Sequence, residues 1–227
     1  MKIGILMAGH APEQIKEKTG DYDAMFRRIL ATQDFSFVTY DVENMKFPHS
    51  ARDADGWLIS GSKHGAYDPL PWIPKLEALI QDIYAIKRPL VGVCFGHQII
   101  AQALGGQVTK FSGGWATGTT GYHFKGRDIK LNAWHQDQVV ALPPGASVLG
   151  GNDFCKNAML GYGDHVFTVQ PHPEFDTGVI NGLLEFRAKG NVPDDQIART
   201  AQTLSETDWA IIAAEMARVF KSQEVAA

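Results

Sequence analysis

Two rhythms of apolar and polar positions alternate along this chain. Residues 2–7 form a short, nearly unbroken apolar run, the mark of a buried strand. Residues 21–31 place Tyr22, Met25, Phe26, Ile29 and Leu30 at helical spacing. Residues 35–40 alternate like a strand, and 56–60 read as another. A helix is expected over 72–87, a strand over 90–93 and a helix over 96–104. Strand, helix, strand in this order predicts parallel strands joined by right-handed crossovers. The expected fold is therefore α/β: a three-layer α/β/α sandwich around a mainly parallel, flavodoxin-like sheet.

The rhythm changes in the middle. Residues 105–151 are rich in Gly, Thr and Pro, with short alternating runs such as 130–134. They are expected to add antiparallel strands and loops to the main sheet. Residues 166–170 return to a strand, and 175–189 to a helix. The tail predicts a helix that starts at Ser205, with Asp208 three residues on, and packs through Trp209, Ile212, Met216 and Phe220. One domain over 1–190, with a C-terminal helical segment over 191–227 packed on it, accounts for the whole pattern.

Chemistry concentrates where the 90–93 strand meets the helix after it. The sequence there is Gly-Val-Cys-Phe-Gly (92–96). A strand running straight into a helix needs a tight turn, and the apex residue is forced into a strained conformation. Gly92 and Gly96, two residues either side of Cys94, let the chain pass close to itself. This is the nucleophile-elbow pattern with sulfur in place of a hydroxyl. The turn presents the thiol at the carboxyl ends of the strands, where open α/β sheets bind ligands. It also sets it at a helix N-terminus, where free N–H groups stabilise an anion. A buried cysteine in a glycine-lined turn is the plainer alternative, and the flanking strand and helix weigh against it. Cys155 has no such setting and reads as structural.

A thiol nucleophile needs a base and a group to orient that base. His172 follows a predicted strand in Pro-His-Pro-Glu (171–174). If the prolines hold the segment extended, residues two apart face the same way, so Glu174 can fix the His172 tautomer. The backbone N–H of Phe95 can serve as one oxyanion donor. The N–H of Gly61 or of Ser62, in the loop after the 56–60 strand, is the candidate for a second. His97 lies one helical turn beyond the thiol and is expected to pack or hydrogen-bond. His135 and Asp137, in Trp-His-Gln-Asp, match no common metal-ligand spacing with His172, so no metal is expected.

Bulk properties narrow the class. The chain has 227 residues, 44% of them apolar, a net charge of −4 and only two cysteines. No stretch is densely basic, so nucleic acid is not an expected partner. No apolar run is long enough to cross a bilayer, and the N-terminus is too short before its first loop for a signal peptide. Two distant cysteines suit a reducing, cytoplasmic setting.

Three motifs in this order resemble class I, triad-type glutamine amidotransferases: Gly-Val-Cys-Phe-Gly-His-Gln (92–98), Gln-Pro-His-Pro-Glu (170–174) and Leu-Ile-Ser-Gly-Ser (58–62). Residues 20–26 and 134–139 look like the family too, so the resemblance covers about 1–187. It is strongest to stand-alone members similar to the glutaminase part of GMP synthase and to γ-glutamyl peptide hydrolases. The family implies attack by Cys94 on the γ-carbonyl of glutamine or a γ-glutamyl amide. His172 would move protons, Glu174 would orient it, and a γ-glutamyl thioester would form. Gln98 resembles the family's substrate-side glutamine. No cofactor is implied, and the substrate is a small molecule. Any ammonia acceptor would be a synthase on another chain, since no synthase domain precedes Ala227. Glutaminase action is the first expectation, and γ-glutamyl peptide hydrolysis without a partner is the alternative.

The oxyanion loop departs from the family. Many amidotransferases carry Gly-Gly-Pro or Asn-Gly-Pro-Gly there, whereas this chain has Gly-Ser-Lys-His-Gly (61–65). Lys63, His64 and Tyr67 are therefore candidates to line a substrate groove. Two rivals stand beside the family reading. One is a different cysteine hydrolase or stress protein on a similar sheet; those commonly place a histidine directly after the cysteine, where this chain has Phe95. The other is a non-enzymatic regulatory subunit, which has no physical reason to keep Cys94, His172 and Glu174 together.

Overall fold

A computed structural model of the chain describes residues 1–223. The first half runs β1 (Lys2–Met7), α1 (Glu13–Thr19), α2 (Tyr22–Ile29), β2 (Ser36–Asp41), β3 (Gly56–Ile59), α3 (Trp72–Ala85), β4 (Leu90–Val93) and α4 (Phe95–Ala103). The Gly- and Thr-rich middle forms β5 (Gln107–Lys110), β6 (Ala116–Phe124), β7 (Arg127–His135), β8 (Asp137–Ala141) and β9 (Ala146–Gly151). The chain then continues through β10 (Met159–Tyr162), β11 (Val166–Val169), α5 (Thr177–Phe186), α6 (Asp194–Thr203) and α7 (Trp209–Phe220).

The main sheet has nine strands in the order β2-β1-β3-β4-β11-β10-β9-β6-β7. β2, β1, β3, β4 and β11 are mutually parallel. β10, β9, β6 and β7 extend the sheet antiparallel. β5 and β8 pair separately as a two-stranded antiparallel sheet. The α/β sandwich read from the pattern is thus present, with mostly parallel strands at its centre and the predicted antiparallel addition on one side.

Burial follows the pattern that predicted each element. β3, β4 and β11 are buried at every position, and Thr168 of β11 is the one polar side chain in them. One core packs α2, α5 and α7 on one face of the sheet, through residues such as Phe26, Leu183 and Phe220. The other packs α3 and α4 on the opposite face, through Leu76, Ile80 and Ile100. Each fully buried Leu, Ile or Phe contributes about 1.5–3 kcal/mol relative to exposure.

Two expectations for the tail are corrected. The last helix begins at Trp209 rather than Ser205. Asp208 does not cap it: its carboxylate accepts from Lys130 N–H at 2.8 Å, and its own N–H donates to Lys130 C=O at 2.8 Å. The segment before α7 thus meets β6 at Ser205, whose N–H donates to Thr119 Oγ1 at 3.0 Å, and β7 at Asp208, which pairs with the Lys130 backbone. Ile212, Met216 and Phe220 are buried as expected, but Trp209 is 42% exposed. The sequence pattern also gives no sign of α1, because Ile15 is its one buried residue and no apolar stripe marks it.

Candidate active site

The junction of β4 and α4 is the sharp turn that the glycines predicted. Cys94 sits at φ 53° and ψ −105°, a region L-residues rarely occupy. Such a conformation costs on the order of 1–3 kcal/mol. It is held by the Cys94 N–H, which donates to Val169 C=O at 2.9 Å, and by the Cys94 C=O, which accepts from Gln98 N–H at 3.1 Å. A Cβ on Gly92 would meet the Gly96 carbonyl, and one on Gly96 would overlap the Ile59 carbonyl. Both positions must therefore lack a side chain for the elbow to close.

His172 arrives from the end of β11, the strand next to β4. It forms a single bridge with Asn132, its N–H donating to Asn132 C=O at 2.8 Å. Its Nδ1 lies 2.7 Å from Glu174 Oε1, with both side chains nearly sealed from solvent. The Phe175 ring stacks on the imidazole at 3.9 Å and 3° between planes. The local path differs from the extended one expected, since Pro173 and Glu174 form a turn. That turn brings the carboxylate back beneath the imidazole all the same.

Burial alone would push the His172 pKa down. The charges of Glu174 and Cys94 and hydrogen bonds to both outweigh it, so the net shift is upward. The other two buried histidines nearby behave oppositely. His97 falls to about 3 through burial and then the neighbouring His135. His135 falls to about 3 through burial and then His172. His97 Nδ1 pairs with Thr168 Oγ1 at 2.8 Å, and His135 Nδ1 with Asp137 C=O at 3.2 Å. Both are held neutral, and of the three His172 is the one set up to carry a proton.

Gly61 faces this pair. A Cβ there would lie 3.2 Å from His172 Cε1 and 3.9 Å from Cys94 Cβ. Phe95 opens α4, so its N–H has no intrahelical acceptor. The N–H groups of Gly61 and Ser62 find no acceptor among the described residues.

Cys94 opens onto a cleft of about 510 Å³. Gln98 lines it, with Nε2 donating to Asp137 C=O and to Gln170 Oε1, both at 3.0 Å. Both amide protons are thereby engaged, which leaves Gln98 Oε1 as an acceptor. Lys63, His64 and Tyr67 all line the cleft. Glu43 anchors this loop through Lys63 Nζ at 3.4 Å and His64 Nε2 at 3.1 Å. The structure adds Lys110, Trp115, Trp134 and Arg187, which sequence reasoning missed. Arg187 is fixed by donating to His10 C=O at 3.2 Å and Tyr22 Oη at 3.4 Å. Only the trailing end of a helical pattern pointed to it. Cys155 is buried away from this cleft, and burial first, then Cys94, raises its thiol to about 12. Among the described residues no group of three or more His, Cys, Asp or Glu is placed to hold a metal ion. Among them, too, no helix is long and apolar enough to cross a membrane.

A cysteine at a strand-to-helix elbow, backed by a histidine–carboxylate pair on a mixed α/β sheet, defines a nucleophile-elbow class of α/β protein. Within it, the chain belongs to the family Glutamine amidotransferase class-I, whose family model matches residues 23–187. Gamma-glutamyl peptidase 3 of Arabidopsis thaliana is 26% identical over 223 residues, covering 91% of this chain and 90% of the relative. A glutamine amidotransferase-like protein of Schizosaccharomyces pombe is 31% identical over 227 residues, covering 90% and 91%. One subunit of the glutamine-hydrolyzing GMP synthase of Halobacterium salinarum is 28% identical over 172 residues, covering 70% and 87%. A glutamine amidotransferase structure from Thermotoga maritima shares the fold with a TM-score of 0.76 at 18% identity, covering 98% of this chain and 97% of that one.

Proposed function

We propose that this chain hydrolyses γ-glutamyl amides through a Cys94–His172–Glu174 triad, with γ-glutamyl peptides as its substrate class. The observation that carries the choice of substrate is the cleft in front of Cys94. It holds about 510 Å³ and includes three cations in its walls: Lys63, which pairs with Glu43 at 3.4 Å, and Lys110 and Arg187, which pair with no carboxylate among the described residues. Free glutamine has one carboxylate, whereas a γ-glutamyl amino acid has two. The two cations of the cleft that lack a carboxylate partner suit the second kind of ligand. The near full-length similarity to proteins named γ-glutamyl peptidases supports the same choice.

The chemistry follows from the geometry. The Cys94 sulfur attacks the γ-carbonyl carbon and forms a C–S bond. Negative charge moves to the carbonyl oxygen, where the N–H groups of Phe95 and of Gly61 or Ser62 receive it. His172, raised by Glu174 and Cys94 so that it holds a proton, gives that proton to the departing nitrogen as the C–N bond breaks. A γ-glutamyl thioester remains and the amine leaves. Neutral His172 then takes a proton from water, whose oxygen attacks the thioester. The C–S bond breaks, releasing glutamate and restoring the thiolate. Gln98 Oε1 and the cleft cations hold the γ-glutamyl group during both steps.

The test compares kcat/KM for γ-glutamyl dipeptides and for glutamine with the purified chain alone. A dipeptide preference of tenfold or more, about 1.4 kcal/mol of transition-state binding, is expected. A preference for glutamine, rising when a synthase partner is added, overturns the peptide assignment in favour of a glutaminase subunit.

A further inference from the structure

Two peptides of the loop after β3 are candidates for the second oxyanion donor, and they are turned differently. Ser60 C=O faces the elbow and accepts from Gly96 N–H at 3.1 Å. Across a trans peptide the carbonyl and the following N–H point in opposite directions, so Gly61 N–H faces away from the elbow. The next peptide is turned by the Ser60 side chain. Ser60 is fully buried; its Oγ accepts from Ala8 N–H at 2.9 Å and donates to Gly61 C=O at 3.0 Å. Ser62 N–H therefore points away from Ser60, on the side of the cleft that Ser62 lines. Behind it, Gly9 comes so close that a Cβ there would lie 2.9 Å from Ser62 Cα.

Residues 61–65 contain two glycines and no proline, so their own conformational freedom is large. A charge clamp limits it. Glu43 follows β2, and its N–H donates to Met7 C=O, at the end of β1, at 3.2 Å. Its half-sealed carboxylate reaches Lys63 Nζ at 3.4 Å, His64 Nε2 at 3.1 Å and His10 Nε2 at 3.9 Å. His64 N–H in turn donates to Ser62 Oγ at 3.1 Å. One carboxylate outside the cleft walls thus grips the two residues that follow Ser62.

We propose that Glu43 is a positioning residue for the reaction: through Lys63 and His64 it holds the Ser62 N–H, already oriented by Ser60, at the oxyanion that forms over Cys94. This rests on the reading of the chain as a γ-glutamyl amide hydrolase. As the Cys94 sulfur bonds to the γ-carbonyl carbon, the carbonyl π pair moves onto oxygen. Phe95 N–H and Ser62 N–H receive that charge, and they do so best from a frame that need not rearrange. The contact is strongest in the transition state, so loss of its alignment lowers kcat and leaves substrate binding in place. A misplacement of about 1 Å from a change remote from the chemistry is enough to cost about 10²-fold.

The experiment measures kcat and KM for a γ-glutamyl dipeptide with wild type, Glu43→Gln and Glu43→Asp, together with the rate at which iodoacetamide alkylates Cys94 in each. Alkylation forms a C–S bond by displacing iodide from a saturated carbon, and it puts no charge on a carbonyl oxygen. Glu43→Gln is expected to lower kcat by about ten- to thirtyfold, with KM within about threefold and the alkylation rate within about twofold of wild type. Glu43→Asp keeps the charge on a side chain one methylene shorter and is expected to lie between, with kcat down about three- to fivefold. An alkylation rate that falls in parallel with kcat places the effect on the thiol or on the fold and overturns the proposal. An unchanged kcat in Glu43→Gln overturns it, and so does a rise in KM alone, which makes the clamp part of substrate binding. Should Glu43→Gln fail to show a cooperative melt, Glu43→Asp decides, and a wild-type kcat there overturns the proposal. Absence of wild-type turnover on every γ-glutamyl amide is a different failure: it overturns the hydrolase reading, and this inference with it.

Discussion

The floor of the cleft and its wall are built by opposite means. The floor is Cys94, His172 and Glu174, carried on the ends of the adjacent central strands β4 and β11 and buried to within a few percent. Each is fixed by short-range geometry: a strained elbow, a bridge, a stacked ring and a 2.7 Å contact. The wall is Lys63, His64, Tyr67, Lys110, Asp137 and Arg187, drawn from loops and strand ends far apart in sequence. It is polar and partly exposed, and long-range pairs such as Tyr67–Asp137 and Lys63–Glu43 tie it down. In the proposed reaction the floor supplies bond-making and the wall supplies selection, so changes to the two should separate in kcat and KM.

The largest effect belongs to the nucleophile. Cys94→Ala is expected to lower γ-glutamyl hydrolysis by at least about 10⁴-fold, because no covalent route remains. Its melting temperature should stay within a few degrees of wild type, since the backbone contacts of the elbow are unchanged. A glutamine-like electrophile should modify Cys94 and spare Cys155, whose thiol is buried and raised to about 12. Mass spectrometry showing preferential modification of Cys155 would break the assignment of the floor.

Next come the two groups behind the thiol. His172→Ala is expected to cost about 10³–10⁵-fold in kcat, and Glu174→Gln less, about 10–100-fold. In the proposed mechanism His172 carries the proton while Glu174 holds and polarises it, and an amide retains part of that hydrogen bond. His97 and His135 cannot take over because burial keeps them neutral. Near wild-type kcat in His172→Ala would transfer the role of base elsewhere. The pair also has a signature in stability. With its folded pKa raised above the ordinary value of 6.5, His172 contributes stability that is complete below that pH. The contribution is lost as pH climbs through the folded pKa. Melting temperature should therefore decline on the alkaline side, and Glu174→Gln should flatten that decline.

A purely structural change on the floor ranks third. Gly96→Ala places a methyl group into the Ile59 carbonyl, which is strand backbone and cannot swing aside. A destabilisation of about 2–4 kcal/mol is expected, with activity lost in step because the elbow carries the thiol. Chemical denaturation measures it, and a stability within 0.5 kcal/mol of wild type, roughly the scatter of surface substitutions, would show that the turn is looser than the geometry requires.

The same contrast explains what could be read from the chain. The floor was legible because its demands are local. A strand-to-helix elbow requires small residues two before and two after the apex, and Gly92, Cys94 and Gly96 display that requirement within five positions. The Pro-His-Pro-Glu segment likewise keeps base and carboxylate two residues apart, although the link is a turn and not an extended run. The central sheet was legible because strands buried on both faces are short and almost wholly apolar, Thr168 of β11 being the exception. The wall carries no such mark. Arg187 lies at the C-cap of α5, where a sequence pattern says only that the helix is ending. Nothing local links Tyr67 to Asp137 across a separation of seventy positions. Asp208 misled for the same reason, since its partner Lys130 sits in another element.

The smallest expected effect tests the wall through Arg187. Its guanidinium lines the cleft and is braced by His10 C=O and Tyr22 Oη, neither of which neutralises it. Tyr22 is buried, and burial raises its phenol to about 12, so it remains a neutral acceptor. Among the described residues Arg187 therefore presents an unpaired positive charge to the cleft, suited to a substrate carboxylate. Arg187→Gln removes the charge while keeping a donor for the His10 carbonyl. KM for a γ-glutamyl dipeptide should rise by about five- to tenfold, with kcat within about twofold, because the contact exists before and during reaction alike. The amide of the same dipeptide, which lacks the C-terminal carboxylate, separates two subsites. If Arg187 binds the leaving amino acid, wild type should already handle this amide poorly and Arg187→Gln should add little. If Arg187 binds the α-carboxylate of the γ-glutamyl group, the variant should weaken both substrates equally. A fall in kcat with KM unchanged would place Arg187 with the floor and erase the division between the two regions.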